Sequence, residues 1–433
     1  MYLSGIQTTN IYNVQPAKAK PYAGVSASYT QPPITRPSFT SYNPVNIAKT
    51  QLTTKDEVKK YCEITANLDK DAKVALDYTL KSGILLNNNS NDKSTALDNL
   101  YKIMTTKRAE GLDTRTMLND TVKTIANPCI ITQHFGNLPE NLKPTINAYD
   151  PTAEEVTHSG CCVAASIEYN LASQMPAEFV RVAEGISSEK MSVNKTIDLK
   201  NLCDNKDDAK WLLDNFKIPY QMKDNNKADV TIAPDKNAII RAHIQTIDKD
   251  DLERSPLDVL MQSTFMNVGS QQTYNTLNDT RIASFGPGNK GLVEIEKTFT
   301  ESVITDSNKT SVTFQDLQEA TDQKGNPTAK LVGYKADFNV VKRSLLNSMA
   351  SGQNVIIGYT SIDEDNNIIN GHEITVIGAK VAPDGKLIFV CNDTDDDLAA
   401  PVEYHEDYII PRIHHVGLPT EVVDSDNKLK AIA

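Results

Sequence analysis

Between Thr53 and Asn127 apolar residues recur at spacings of three and four, the period of helices that bury one face. Four segments follow from it. Thr54 and Glu57 stand at capping-box spacing, and Val58, Tyr61, Cys62 and Ala66 mark the face of a first helix. Val74, Ala75 and Tyr78 mark a second, which stops near Gly83. Leu97, Leu100, Tyr101 and Met104 mark a third, starting near Ser94. Met117, Leu118, Thr121, Val122 and Ile125 mark a fourth. The polar run Asn87 to Asp92 reads as the loop between the second and third helices. Residues 55–127 are therefore expected to form a helical module, and no internal repeat is visible.

After Pro128 the pattern is mixed. Helical spacing is found at 160–174, 207–216, 256–268 and 337–350, and short apolar runs at 354–359, 373–379 and 386–391 read as strands. Pro383-Asp384-Gly385 between the last two is a turn signal that makes them a hairpin. A helix early and paired strands late predict an α+β domain over 128–420 rather than alternating βαβ units. The segment 201–330 is polar, rich in Asn, Asp and Thr, and reads as an insertion, with 421–433 as a C-terminal tail.

Residues 1–54 differ from the rest. They hold six prolines (Pro16, Pro21, Pro32, Pro33, Pro37, Pro44) and no carboxylate before Asp56. Such a segment buries too little apolar surface to offset its ordering entropy, so a disordered tail is expected, with scattered tyrosines that suit docking. The whole chain of 433 residues has a net charge of −12 and no basic stripe, which speaks against nucleic acid as a partner. No apolar stretch approaches the roughly 20 residues of a membrane span. The start lacks the charged and apolar regions of a secretory signal, so a cytoplasmic setting is the default expectation. Six cysteines are too few for a disulfide scaffold, and none show zinc-type Cys-x-x-Cys spacing.

Chemistry concentrates in three short pieces. In Ser159-Gly160-Cys161-Cys162-Val163-Ala164-Ala165-Ser166 a small-residue turn precedes a cysteine pair that opens a helix, where free N–H groups and the helix dipole favour a thiolate. In Gly371-His372-Glu373-Ile374-Thr375-Val376-Ile377-Gly378 a histidine enters an alternating apolar strand. In Leu387-Ile388-Phe389-Val390-Cys391-Asn392-Asp393 a strand ends in an amide and a carboxylate, and the hairpin brings it beside the histidine. Nucleophile, base and orienting group are the parts of an activated cysteine.

These pieces resemble the papain-like cysteine peptidases, whose local signature around the nucleophile is Cys-Gly-Ser/Ala-Cys-Trp/Tyr with the His and Asn far downstream. Gly160-Cys161-Cys162-Val163-Ala164-Ala165-Ser166 is similar to the family's Gly-Ser-Cys-Trp-Ala-Phe-Ser, which implies Cys162 as nucleophile. The resemblance further implies His372 as base, Asn392 as orienting residue and a papain-like fold in which the cysteine helix packs on an antiparallel sheet. The helix at 337–350 and the run Gly352 to Tyr359 are similar to the family's elements before the histidine. There are departures. Val163 replaces the aromatic, no Trp follows Asn392, and Asp393 rivals Asn392 in the manner of leader peptidases of the same superfamily. The oxyanion glutamine maps only to Gln133, across a loop at 137–158. Cys162 and His372 also lie farther apart than the roughly 130–150 residues of papain and cathepsins.

The expected activity is cysteine-dependent hydrolysis of a peptide or amide bond in a peptide or protein substrate. The alternatives are acyl transfer of transglutaminase or amidase type with the same triad, and a binding protein that keeps the fold without catalysis. No cofactor and no metal are expected. Cys161 reads as packing, His158 as a loop residue, and His414 and His415 as a surface pair. Asp363-x-Asp365-x-Asn367 lacks the Gly and Glu of an EF-hand, and the acids at 393–397 read as a solvated turn. Gly286-Pro287-Gly288 is too short to cradle a phosphate. By position 55–127 matches a prosegment, but a permanent helical domain is the favoured reading.

Overall fold

The computed structural model describes residues 39–40, 49–134, 159–247, 254–282, 291–321, 327–362, 366–396 and 398–433. The chain is an α+β structure of helices and antiparallel sheets. Among the described residues no helix is long and apolar enough to cross a membrane.

Four helices come first: α1 (Lys55–Asn67), α2 (Lys70–Lys81), α3 (Ala96–Thr105) and α4 (Thr114–Ala126). Side chains cap each start. Thr54 and Glu57 form the expected capping box, Thr95 and Asp98 a second one, and Asp69 and Asp113 accept from first-turn N–H groups. The buried faces of α3 and α4 follow the pattern read from sequence, with Leu97 and Leu100, then Met117, Leu118, Thr121, Val122 and Ile125, all buried. The faces of α1 and α2 do not. Val58, Cys62, Val74 and Tyr78 are exposed, whereas Ile64, Ala72, Leu76 and Thr79 are buried. In α1 the Lys60 ammonium pairs with Asp98 of α3 at 2.8 Å, which turns the Ile64 side inward. In α2 the longer Leu76 takes the interior ahead of Val74.

The helix bearing the cysteine pair, α5 (Cys162–Gln174), ends at Met175, where Pro176 opens α6 (Pro176–Ser187). Next come β2 (Val193–Asp198), α7 (Lys206–Asn215), β3 (Tyr220–Met222), β4 (Lys227–Ile232), α8 (Ala238–Ile247) and α9 (Pro256–Gly269). The strands β2, β4 and β3 make a small sheet in that order. Ser255, Pro256 and Asp258 start α9 with a capping box and a proline at the first turn, and every residue of this helix is buried. A helix buried on all sides belongs to a core, and its polar Asp258, Gln262, Ser263 and Asn267 are buried with the apolar residues. One apolar cluster indeed joins Leu100 and Val122 of the first helices to Ala165 and Ile167 of α5, Phe179 of α6 and Leu260 and Phe265 of α9. Helices α1–α4 therefore share their core with the cysteine helix. Likewise the stretch 201–330 supplies buried structure, including α10 (Glu294–Thr305) and β5 (Lys309–Thr313).

The remaining elements are β6 (Gln315–Thr321), β7 (Pro327–Tyr334), α11 (Phe338–Ala350), β8 (Val355–Ile362), β9 (Ile368–Val381), β10 (Leu387–Asn392), β11 (Val402–His405), α12 (Glu406–Ile409), β12 (Ile413–Pro419), α13 (Thr420–Ser425) and α14 (Asn427–Lys430). The main sheet runs β11-β10-β9-β8-β12-β5, all antiparallel, and β1 (Phe39–Thr40) joins it on β9 opposite Ala379 and Gly378. Those two residues fall within the tail expected at 1–54; of the rest of it, only 49–54 lie among the described residues. The turn at Pro383-Asp384-Gly385 joins β9 to β10, with Gly385 at φ 83°. The sheet is sandwiched. Ile356 and Ile377 pack toward the helical cluster, while Ile357, Ile374, Val376, Phe389 and Cys391 pack with Leu345 of α11 on the other side. The C-terminal segment ends in two short helices, and Leu429 is buried in that second cluster.

Candidate active site

Cys162 is the first residue of α5 and is half-buried. Among the described residues no side chain caps this helix, so its first-turn N–H groups are available at the thiol. The turn before it is held from behind. Gly160 N–H donates to Asp279 Oδ2, Ser159 Oγ donates to the Gln133 carbonyl, and Cys161 N–H donates to Ser159 Oγ. The Cys161 thiol points into the interior against Tyr274 Oη at 3.1 Å, with the buried Arg254 and Asp279 beside it. Burial, then the Asp279 charge, push this thiol up to about 12. Adjacent cysteines thus meet opposite surroundings, one sealed and one at the surface of the helix start.

His372 lies inside β9, which begins at Ile368 and so extends further back than its sequence pattern indicated. Its Nε2 is 2.6 Å from Asp393 Oδ1, and the Cys162 thiol stands close enough to the imidazole to interact with it. With Nε2 given to the carboxylate, Nδ1 is the nitrogen left for the thiol. Burial alone would push the imidazole down. The Asp393 carboxylate, by charge and hydrogen bond, and the Cys162 thiol hold it well above its ordinary value. Burial likewise opposes ionisation of Asp393, but the His372 charge and hydrogen bond keep its carboxyl below the usual range. Asp393 also accepts from Asp395 N–H at 3.0 Å and from the Tyr404 hydroxyl at 2.9 Å. Tyr359 sets its ring edge-on to His372, and Tyr404 stands near Tyr359 and stacks on Tyr408.

The hydrogen bond to His372 comes from Asp393 and not from Asn392, and a β-bulge explains the choice. Val390 pairs with Gly378, but Cys391 pairs with Val376, so Ile377 is an extra residue in β9. Opposed residues share a face, and successive residues alternate. Cys391 thus lies on the face of Val376 and Ile374, the face that also carries His372, and Asp393 follows it there. Asn392, opposite Thr375, turns to the other face, where it is buried beside Cys129.

Gln133 is also brought close, though as a clamp. Its side-chain nitrogen donates to Asp395 Oδ1 at 3.1 Å, its side-chain oxygen accepts from Thr394, and its backbone N–H donates to the Thr394 carbonyl. His134 contacts Asp395 as well. The pair ties the 393–396 turn to the turn before Cys162, rather than presenting the amide to the thiol as an oxyanion donor. The acids expected as a solvated turn are therefore divided: Asp393 is buried by the histidine, and Asp395 is held by Gln133. His158 lies outside the described residues, as do the loop 137–158 and Gly286-Pro287-Gly288. Sequence reasoning missed Tyr404, Tyr359, Tyr274, Asp279 and Arg254. Tyr404 and Tyr359 reach the site across paired strands, and Tyr274, Asp279 and Arg254 from a distant segment; no residue pattern marks these side chains out.

On the other face of β9, Glu373 bridges Lys297 Nζ at 3.1 Å and His415 Nε2 at 2.8 Å. Burial would raise this carboxyl, but the His415 imidazole and the Lys297 ammonium beside it hold it down at about 2. Glu373, Gly358 and His415 lie in one row across β9, β8 and β12, and a Cβ on Gly358 would overlap both Glu373 Oε1 and the His415 ring. The histidine pair expected at the surface is largely interior: His415 is buried and His414 is partly so. Compared with protein-family models, curated proteins and solved structures, the chain matches none of them.

Proposed function

We propose that the chain is a thiol-dependent hydrolase of peptide or amide bonds, with Cys162 as nucleophile, His372 as base and Asp393 as the residue that orients the imidazole. The observation that carries this reading is the continuous line Asp393 to His372 to Cys162, ending at an uncapped helix start. In the proposed cycle Cys162 Sγ attacks the carbonyl carbon and its proton passes to His372 Nδ1. Asp393 stabilises the imidazolium and fixes its tautomer. The N–H groups at the start of α5 receive the oxyanion. The imidazolium then protonates the leaving amine, leaving a thioester on Cys162. His372 takes a proton from water, which adds to the thioester and releases the acid and the free thiol. Tyr359 and Tyr404 cover the imidazole–carboxylate pair, and a pair shielded from water interacts more strongly. The buried thiol of Cys161 stays protonated at neutral pH, which leaves Cys162 as the reactive one of the two.

Iodoacetamide labelling of the full chain, read by peptide mass mapping between pH 5 and 8, tests this. Cys162 is expected to label well ahead of Cys161, to remain reactive below neutral pH, and to lose that reactivity in His372→Ala. Labelling of Cys162 at the rate of a free thiol, unchanged by His372→Ala, would remove the basis of the reading.

A further inference from the structure

Three donor atoms converge at the edge of α10 and β12. Glu294 opens α10, and His414 and His415 are consecutive in β12, whose register against β8 shifts between Ile413 and His415. Consecutive strand residues ordinarily point to opposite faces. The irregular register lets both rings turn their Nδ1 atoms to one point, 2.9 Å apart, with the ring planes at 90°. Glu294 Oε1 lies 3.4 Å from His414 Nδ1 and 3.9 Å from His415 Nδ1. In a triangle with those three sides, the point equidistant from all corners is about 2.0 Å from each, the distance at which nitrogen and oxygen ligands bind zinc.

The surroundings favour the same reading. His415 Nε2 faces the Glu373 carboxylate, which Lys297 fixes from the far side. A ligating imidazole characteristically gives its other ring nitrogen to a carboxylate, which fixes the tautomer and turns a lone pair toward the ion. Here that leaves His415 Nδ1 as the lone-pair atom, aimed at His414 Nδ1 and Glu294. The side chains of Glu294 and His414 are partly exposed, at 33% and 18%, so the triad is open on one side. Two imidazoles and one carboxylate suit zinc and its neighbours, whereas calcium and magnesium take oxygen ligands.

We propose that Glu294, His414 and His415 bind one divalent transition-metal ion of the zinc class, with Glu373 as the carboxylate behind His415 and at least one coordination position open to solvent. The site joins α10 to the main sheet and stands on the opposite face of β9 from His372. It does not depend on the hydrolase reading.

The test uses the full-length chain carrying Cys162→Ser, so that the thiol cannot compete, stripped with a chelator. Zinc is titrated by calorimetry and cobalt by visible absorption. One zinc per chain is expected, together with cobalt bands of a low-coordinate nitrogen and oxygen site and no sulfur charge-transfer band. His414→Gln with Glu294→Gln should abolish saturable binding, and Glu373→Gln should weaken it by about 10- to 100-fold. Melting in chelator checks that the variants fold. Absence of saturable zinc binding in the parent chain would overturn the proposal, whatever the variants do. So would a cobalt spectrum without those bands, or undiminished binding in a folded double variant. Labelling of Cys162 in the chain with its native thiol, measured with and without zinc, reports on the hydrolase reading separately.

Discussion

His372 and Glu373 are neighbours on β9, and each forms half of an imidazole–carboxylate pair, yet the two pairs are completed differently. On one face Asp393 holds His372, and the third partner is the Cys162 thiol, a group with a proton to give. On the other face Glu373 holds His415, and a third partner is the Lys297 ammonium, which seals the charge in place. The comparison teaches that a buried histidine–carboxylate contact does not define a reactive site. The group that completes it decides whether the pair moves a proton or locks two elements together.

The sharpest way to break this comparison is to remove one member from each face. His372→Ala is expected to lower thiol-dependent turnover by about a thousandfold or more with the fold retained, because base and nucleophile act as a unit. Lys297→Met should instead lower stability by about 3–5 kcal/mol, since it leaves a buried carboxylate short of a partner, while Cys162 labelling persists. Urea unfolding and labelling on both variants provide the check, and interchanged effects would refute the division.

A second contrast lies within the orienting strand. Asp393→Asn should reduce Cys162 labelling and turnover by about a hundredfold or more, through loss of the tautomer and charge that favour the imidazolium. Asn392→Ala should change them less than about tenfold, because its side chain lies on the other face beside Cys129. Equal losses in the two would show that the strand does not discriminate them.

The pH dependence of stability carries a defined sign on the thiol face. The folded imidazole of His372 is raised above its unfolded value of about 6.5. Its contribution is therefore fully present below about pH 6.5 and is lost as pH rises through the folded value. The stability gap between the wild type and Asp393→Asn should narrow across that upward range. A gap of constant size from pH 6 to 10 would contradict the coupling. The smallest expected effect belongs to Gly358→Ala, where a methyl group meets Glu373 and His415. A loss of about 1–3 kcal/mol with normal Cys162 labelling is expected. Reduced labelling there would mean that the two faces are coupled.

Much of this was legible from local pattern. Helices α3, α4, α5, α9 and α11 and the β9–β10 hairpin follow the periodicity and the turn residues, since each is specified within a dozen positions. The faces of α1 and α2 were not legible, because several apolar stripes compete on a short helix and tertiary partners such as Asp98 choose among them. The convergence of Cys162, His372 and the 392–393 strand end was visible as a set of residue types. Which of Asn392 and Asp393 meets the histidine was not, because that depends on an extra residue in the facing strand. The support behind Cys161 comes from Arg254, Tyr274 and Asp279, whose contacts cross a long span of sequence and leave no periodic trace.

That extra residue, Ile377, makes the nature of the orienting group a matter of whether one strand residue is bulged or paired. Deleting it would leave Val390 opposite Gly378 and Cys391 opposite Val376, so Asp393 would stay on the His372 face, whereas closing the bulge by pairing Cys391 with Ile377 would put Asn392 opposite Val376 and turn the amide toward His372. A chain lacking Ile377 reads this out: Cys162 labelling is expected to remain sensitive to Asp393→Ala, and labelling that survives loss of the carboxylate would mean that Asn392 has come round. A lineage could therefore pass between the two kinds of triad by opening or closing one bulge, with every side chain of both already in stock.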